Sequence, residues 1–264
     1  MSQGVSGLDN VDKGKILAPG RAYKLRRVTQ SRPPQDVLLR GAPAKYIAVT
    51  QDIQETIGDH GEPVRADTLD DAWIELLQAS GCLALRAPNH PHLAAEFIDS
   101  LPIDGLLLTC GNELAAHGGD APERDRTEFA LLTHAVHRKI PVLGVGRGMQ
   151  IIQRLFSISL GPVNGHETQA LSIDIDGERV VVNSDHRFGA MDTAPGLDVW
   201  ARADDGVVKA VRNIDHNITG IMWRPELIQP FRQRDIELIR DAFSTAPTSV
   251  RPNDLVTTRN MGTF

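Results

Sequence analysis

The sequence predicts an α/β protein with a largely parallel central sheet, helices on both faces and added antiparallel strands. Three observations carry this. Strand and helix signals alternate from residue 45 to about residue 156. A strand, a tight turn and a helix are framed by Gly144 and Gly148. Two Asp-Gly pairs, Asp176-Gly177 and Asp205-Gly206, each lie between short apolar runs. Alternation implies right-handed βαβ crossovers and a parallel sheet, and Asp-Gly pairs mark hairpin turns.

In chain order, Tyr46-Ile47-Ala48-Val49-Thr50 reads as a strand. Leu69, Trp73, Leu76 and Leu77 follow at helical spacing, and Gly81 stands where such a helix ends. Leu83-Ala84-Leu85 is a strand and Leu93 to Leu101 a short helix. Gly105 to Thr109 is a buried strand. Asp120 and Pro122 open a helix whose Phe129, Leu132 and Val136 share a face. Pro141 to Val145 is a strand that runs straight into a helix from Arg147 to about Phe156. The pattern then changes. Ile173-Asp174-Ile175 pairs with Val180-Val181-Val182, and Val199-Trp200-Ala201 with Val207-Val208-Lys209, each around its Asp-Gly turn. Ile218 to Trp223 is a last strand, and Ile236, Ile239 and Phe243 mark a closing helix. Nothing in the composition separates the halves, so residues 44–243 are expected to form one domain. Residues 1–43, with Pro19, Pro33, Pro34 and Pro43 and the basic Lys24, Arg26 and Arg27, read as a mostly irregular extension. Residues 244–264 read as a tail.

Composition narrows the function. The chain has 264 residues, 41% hydrophobic, 23% charged and 5% aromatic, with 28 Lys plus Arg against 34 Asp plus Glu, a net charge of −6. It is too apolar for a disordered protein. It lacks both the basic footprint and the stacking platform of a nucleic-acid binder. No apolar run approaches the roughly 18 residues of a membrane span, and the first residues hold no apolar h-region. Two cysteines, Cys82 and Cys110, make no disulfide framework and suit a reducing cytoplasm. His134 with His137, and His90 with His92, lack further ligands at metal spacing, so no metal or cofactor is expected.

Chemistry concentrates at Gly144-Val145-Gly146-Arg147-Gly148. The spacing is G-x-G-x-G rather than the G-x-G-x-x-G of a dinucleotide loop. It suits a nucleophile elbow, where small residues two before and two after the raised position let the turn close. The raised position is Gly146. The segment LGVGRGMQ resembles the LGxCRGxQ elbow of class I glutamine amidotransferase-like proteins, nearest their gamma-glutamyl hydrolase branch. IDGLLLTCGNEL resembles that branch's DGLLLTGGND loop, and ERDRTEFALL its RDxxE helix start, with Arg124, Asp125 and Glu128 in place. VNSDHRF resembles VNSxH, with Asn183, Ser184 and His186 in place. GIMWRPEL resembles GxxWHPE, and DTLDDAW the family's DALDxxW helix. Six matches in family order imply the flavodoxin-like class I glutamine amidotransferase fold.

The resemblance also implies a mechanism: an elbow cysteine attacks an amide to form a thioester, assisted by the histidine and glutamate of HPE. Carried over residue by residue, the cysteine position is Gly146, the histidine position is Arg224, and only Glu226 remains. Glycine has no nucleophilic atom, and arginine is no base near neutral pH. Cysteine-dependent glutaminase or gamma-glutamyl hydrolase activity is therefore not expected. Glycine at a strained elbow is locally stabilising, and Gly146 is expected to leave open volume beside Arg147 at the helix N-terminus. Candidate ligand contacts are Gly111, Asn112, Arg147, Ser184, His186 and Arg224. Cys110, in the facing loop, is either a buried strand-end residue or a relocated nucleophile with His186 as base. Arg224 either binds an anion or seals the site against Glu226 or another acid. The expected role is ligand binding, regulation or scaffolding, with an anionic or glutamine-derived small molecule. The alternatives are a repurposed pocket acting on an amide, gamma-glutamyl or phosphoramidate substrate without a thioester, and a structural subunit of an oligomer or hetero-complex.

Overall fold

The structure is a computed structural model and describes residues 44–244. The expected extension over 1–43 and the tail beyond Ser244 lie outside the described residues. In chain order the elements are β1 (Lys45–Val49), β2 (Asp52–Ile57), β3 (Pro63–Thr68), α1 (Asp71–Ala79), β4 (Cys82–Arg86), α2 (Ala94–Ser100), β5 (Gly105–Leu108), α3 (Pro122–His137), β6 (Val142–Val145), α4 (Arg147–Leu155), β7 (Gly161–Pro162), β8 (Glu167–Ile175), β9 (Glu178–Asp185), β10 (Phe188–Gly189), β11 (Asp198–Ala203), β12 (Val208–Asn213), β13 (Ile218–Ile221) and α5 (Gln233–Ala242).

Nine strands form one mixed sheet in the order β4-β1-β5-β6-β13-β12-β11-β8-β9. From β4 to β13 neighbouring strands are parallel. From β12 to β9 each strand reverses. This is the α/β class expected, including the antiparallel addition at both Asp-Gly turns.

The parallel strands are buried on both faces, which is why they read as continuous apolar runs rather than alternating ones. Ile47, Val49, Leu107, Leu143 and Val145 meet Trp73, Leu76 and Leu77 of α1 and Ile239 of α5 on one face. Ala48, Leu106, Leu108 and Val142 meet Ile98 of α2, Leu131 and Leu132 of α3 and Ile151 and Ile152 of α4 on the other. The helix ends follow local chemistry. Asp70 accepts from the Ala72 amide at 2.9 Å to cap α1, and Gly81 at φ 80° follows its end. Helix α3 begins at Pro122, with Glu123 and Asp125 in its first turn and His134 and His137 in its last, matching the helix dipole.

Of the elements that carried no signal, the largest is a hairpin. Strands β2 and β3 form a separate two-stranded hairpin in register from Asp52–Thr68 to Ile57–Pro63. Most of its residues are exposed on both faces, so it shows none of the apolar alternation that marks a half-buried strand.

Candidate functional site

Strand β6 ends at Val145 and α4 begins at Arg147, so the turn between them is a single residue. Gly146 takes φ 54° and ψ −110°, a region costly to any residue with a Cβ. Its N–H donates to the Ile221 carbonyl at 2.7 Å, which fastens the turn to β13. The framing glycines are forced sterically. A Cβ on Gly144 would lie 2.6 Å from the Gly148 backbone, and one on Gly148 would lie 2.1 Å from the Leu108 carbonyl oxygen.

The space above the turn is filled. Cys110, at the end of the neighbouring strand β5, places its Sγ 3.3 Å from the Val145 carbonyl, where the S–H donates. A Cβ on Gly146 would lie 2.6 Å from that sulfur. The open volume expected beside Gly146 is thus occupied, because adjacent parallel strands bring residues 110 and 146 to the same sheet end. Burial pushes the Cys110 thiol up, and the Glu226 carboxylate adds to this. Arg224, Arg124 and the Arg147 amide pull the other way without reversing it. Cys110 is a protonated thiol near neutral pH.

Beside it lies a cavity of about 290 Å³ lined by Cys110, Gly111, Arg224, Asp52, Asp70 and Trp73, among others. Arg224 is held from both ends. Its backbone exchanges two hydrogen bonds with the Asn183 side chain, at 2.8 and 2.9 Å. Its guanidinium donates to Glu226 Oε1 through Nε and to Asp185 Oδ2 through Nη1, each at 2.8 Å. Glu226 is buried, and burial pushes its carboxyl up against the opposing pull of Arg224. Its Oε2 has no hydrogen-bond partner among the described residues.

The loop after β5 hangs on one buried side chain. Arg124 donates to the Cys110 carbonyl at 2.6 Å, to the Thr109 carbonyl and hydroxyl at 3.1 Å, to Asp52 at 2.8 Å and to Glu128 at 3.1 Å. Gly111, at φ 123°, passes so close that a Cβ would lie 2.5 Å from both Arg124 and Asp52. The Asn112 side chain pairs with the Ile53 backbone in both directions, at 2.9 Å each, and so anchors this loop to β2. The Arg147 side chain turns away from the cavity to ion-pair with Glu128 and Asp125. Burial works against Glu128, but Arg147 and Arg124 outweigh it and hold its carboxyl below the usual range.

The structure therefore brings Gly146, Cys110, Gly111, Arg224 and Glu226 together. Ser184 and His186 lie elsewhere. His186 Nδ1 meets the Phe188 carbonyl at 3.0 Å and Nε2 meets Lys209 Nζ at 2.7 Å, so neither nitrogen serves Cys110. Ser184 Oγ also meets Lys209 Nζ, at 2.9 Å. The sequence placed Lys209 in a strand and Asp205 in a hairpin turn without a site role for either, and His166 carried no signal. Their one signal as a cluster was a lysine inside the apolar run Val207 to Val211. Of the acids lining the cavity, Asp70 lay in the DTLDDAW segment without being given a site role, and Asp52 carried no signal.

The Peptidase C26 family pattern matches residues 45–161 and 157–226. A gamma-glutamyl-CDP-amidate hydrolase of Campylobacter jejuni is 27% identical over 144 residues, covering 54% of this chain and 70% of that protein. The gamma-glutamyl-gamma-aminobutyrate hydrolase PuuD of Escherichia coli K12 is 25% identical over 201 residues, covering 60% of this chain and 78% of its own. Among solved structures, a putative GMP synthase subunit from Thermoplasma acidophilum superposes with a TM-score of 0.59 at 16% identity, over 76% of this chain and 93% of that one. This likeness concerns the fold. No helix among the described residues is long and apolar enough to cross a membrane.

Proposed function

Because the chain belongs to the Peptidase C26 family, within the class I glutamine amidotransferase-like proteins, we propose that it binds a small glutamine-derived ligand in the Cys110–Arg224 cavity without cleaving it through a thioester. The single domain of residues 44–243 carries this site. The observation that supports the reading is Gly146 at the elbow with the Cys110 thiol lying against it. Burial pushes the Cys110 thiol up, away from the thiolate, and Arg224 stands where the family's imidazole base is expected. An amino-acid ligand fits better than a simple anion. Asp52 and Asp70 line the cavity, and two carboxylates already meet the Arg224 charge. The named relatives cleave gamma-glutamyl compounds, which carry both an ammonium and a carboxylate.

Purified protein is to be incubated with glutamine, gamma-glutamyl-gamma-aminobutyrate and gamma-glutamyl-CDP-amidate, with amine or ammonia release followed. No turnover is expected, while calorimetry detects binding of at least one compound that Arg224→Ala weakens about tenfold or more, the scale of a lost charged contact. Sustained hydrolysis, or no binding of any of the three, overturns the reading. A second reading rests on Glu226, a buried carboxyl pushed up and with one oxygen unpartnered. Such groups suit general acid–base work. Loss of a demonstrated conversion in Glu226→Gln, with Cys110→Ser unaffected, would select it.

A further inference from the structure

Lys209 is fully buried in β12, and no carboxylate lies within ion-pair distance of its ammonium among the described residues. Its surroundings assign every proton. The Phe188 carbonyl can only accept, so His186 carries its proton on Nδ1 and turns the Nε2 lone pair to Lys209 Nζ, 2.7 Å away. His166 Nε2 faces the Asp205 carboxylate at 2.9 Å, so it carries the proton and turns the Nδ1 lone pair to Nζ, 3.3 Å away. Ser184 Oγ accepts the third N–H at 2.9 Å. The cage holds one ammonium among three neutral acceptors and is complete with one excess proton.

The charged groups around it are few. Asp205 sits on the β11–β12 turn, where Arg202 is bonded to the Gly206 carbonyl and Asp204 pairs with Arg179 of β9. His117 stacks on Phe188, with ring centroids 4.1 Å apart. A second proton has no free lone pair in the cage. Any imidazole that takes it becomes a cation beside the ammonium, in a poorly screened interior.

Strand β9 joins this cage to the cavity. Successive side chains of a strand point to opposite faces. Asn183 and Asp185 hold Arg224, while Ser184, and His186 just beyond the strand, hold Lys209. We infer that the Lys209 cage is a proton-gated clasp on the end of β9, which holds Arg224 in the cavity wall when it carries one proton and releases it when a second proton arrives. The inference goes beyond the binding reading and does not depend on which ligand the cavity takes. Burial pushes Lys209 down to about 7. Burial, Lys209 and His166 together push His186 down to about 3. Opening restores ordinary values to both groups, so it becomes easier as pH falls.

The test uses the full chain and nuclear magnetic resonance. Side-chain nitrogen spectra at pH 7.5 are expected to show His186 as the Nδ1–H and His166 as the Nε2–H tautomer. The protection of the Arg224 amide, bonded to Asn183 Oδ1, relative to its intrinsic exchange rate is expected to fall by up to about tenfold per pH unit as pH drops from about 6.5 toward about 4, the rate of change for one linked proton. The Ile53 amide, held on the other cavity wall by Asn112, should show no such acceleration. Lys209→Met should flatten the Arg224 response. If that variant does not fold, the wild-type profile decides alone. Titration of His186 near pH 6.5 with Arg224 still protected, or equal responses at Arg224 and Ile53, overturns the inference.

Discussion

Two buried polar clusters flank the elbow, and they are built on opposite principles. On the α3–α4 side, Arg124 and Arg147 meet Glu128, Asp125 and Asp52. Formal charges nearly cancel there, and each guanidinium binds at least two acids. On the antiparallel side, Lys209 is buried as deeply but is surrounded by lone pairs alone, with Asp205 one imidazole away. Depth of burial is the same and the electrostatic consequence is not. Charge paired with charge fixes its protonation state. Charge paired with neutral acceptors leaves the protonation state open to pH.

The largest effect expected to separate them comes from Glu128→Gln, which strips two buried arginines of a shared partner. The loss in unfolding free energy should be about 3–5 kcal/mol, the scale for breaking a buried pair, measured from urea transitions. Lys209→Met removes an unpaired buried charge and should cost clearly less at pH 7. Equal losses would erase the distinction between the two clusters. Next comes the pH dependence of wild-type stability. Lys209 stands at about 7 against an ordinary 10.5, so the unfolded chain binds more protons between those values and stability rises with pH across that window. His186 stands at about 3 against 6.5, so its contribution is present above pH 6.5 and is lost as pH falls toward 3. Glu128, held below its ordinary value, contributes stability that disappears only as pH falls through the carboxylate range. Urea transitions should therefore show higher stability at pH 9 than at pH 6, and a flatter profile for Lys209→Met. A flat wild-type profile would contradict the cage. The smallest effect concerns the elbow between the clusters. Gly146→Ala places a Cβ at positive φ and against Cys110, for a loss of about 1–3 kcal/mol. Adding Cys110→Ala should recover part of that loss, and a double-mutant cycle measures how much. Strict additivity would mean that the sulfur yields freely.

What the sequence disclosed follows the same division between local and distant causes. The elbow was legible because its glycines stand at a fixed short spacing, and the Gly144–Gly148 contact that closes the turn lies within five residues. The two Asp-Gly hairpins were legible because turn chemistry is local. Arg124, Asp125 and Glu128 lay on a legible helix start, and Arg124 and Glu128 meet there as i,i+4 neighbours, whereas the partner of Asp125 is the distant Arg147. The β2–β3 hairpin escaped because exposure on both faces removes periodicity. The contact between Cys110 and Gly146 escaped because it depends on where two parallel strands end relative to each other. The Lys209 cage escaped for the same reason, since its members come from β9, β12 and the segments beside β8 and β11. Arg147 and Asn112 lay on the expected segments, but the direction of a side chain is set by distant partners.

The Cys110 sulfur also constrains how sequences of this fold can interconvert. Any residue larger than glycine at position 146 meets that sulfur at 2.6 Å, so an exchange at 146 alone passes through an overpacked protein. A smaller residue must first appear at 110. The order of two substitutions is thereby set by one sulfur atom, and the present pair behaves as a ratchet: easily held, and reversible only along one of its two mutational routes.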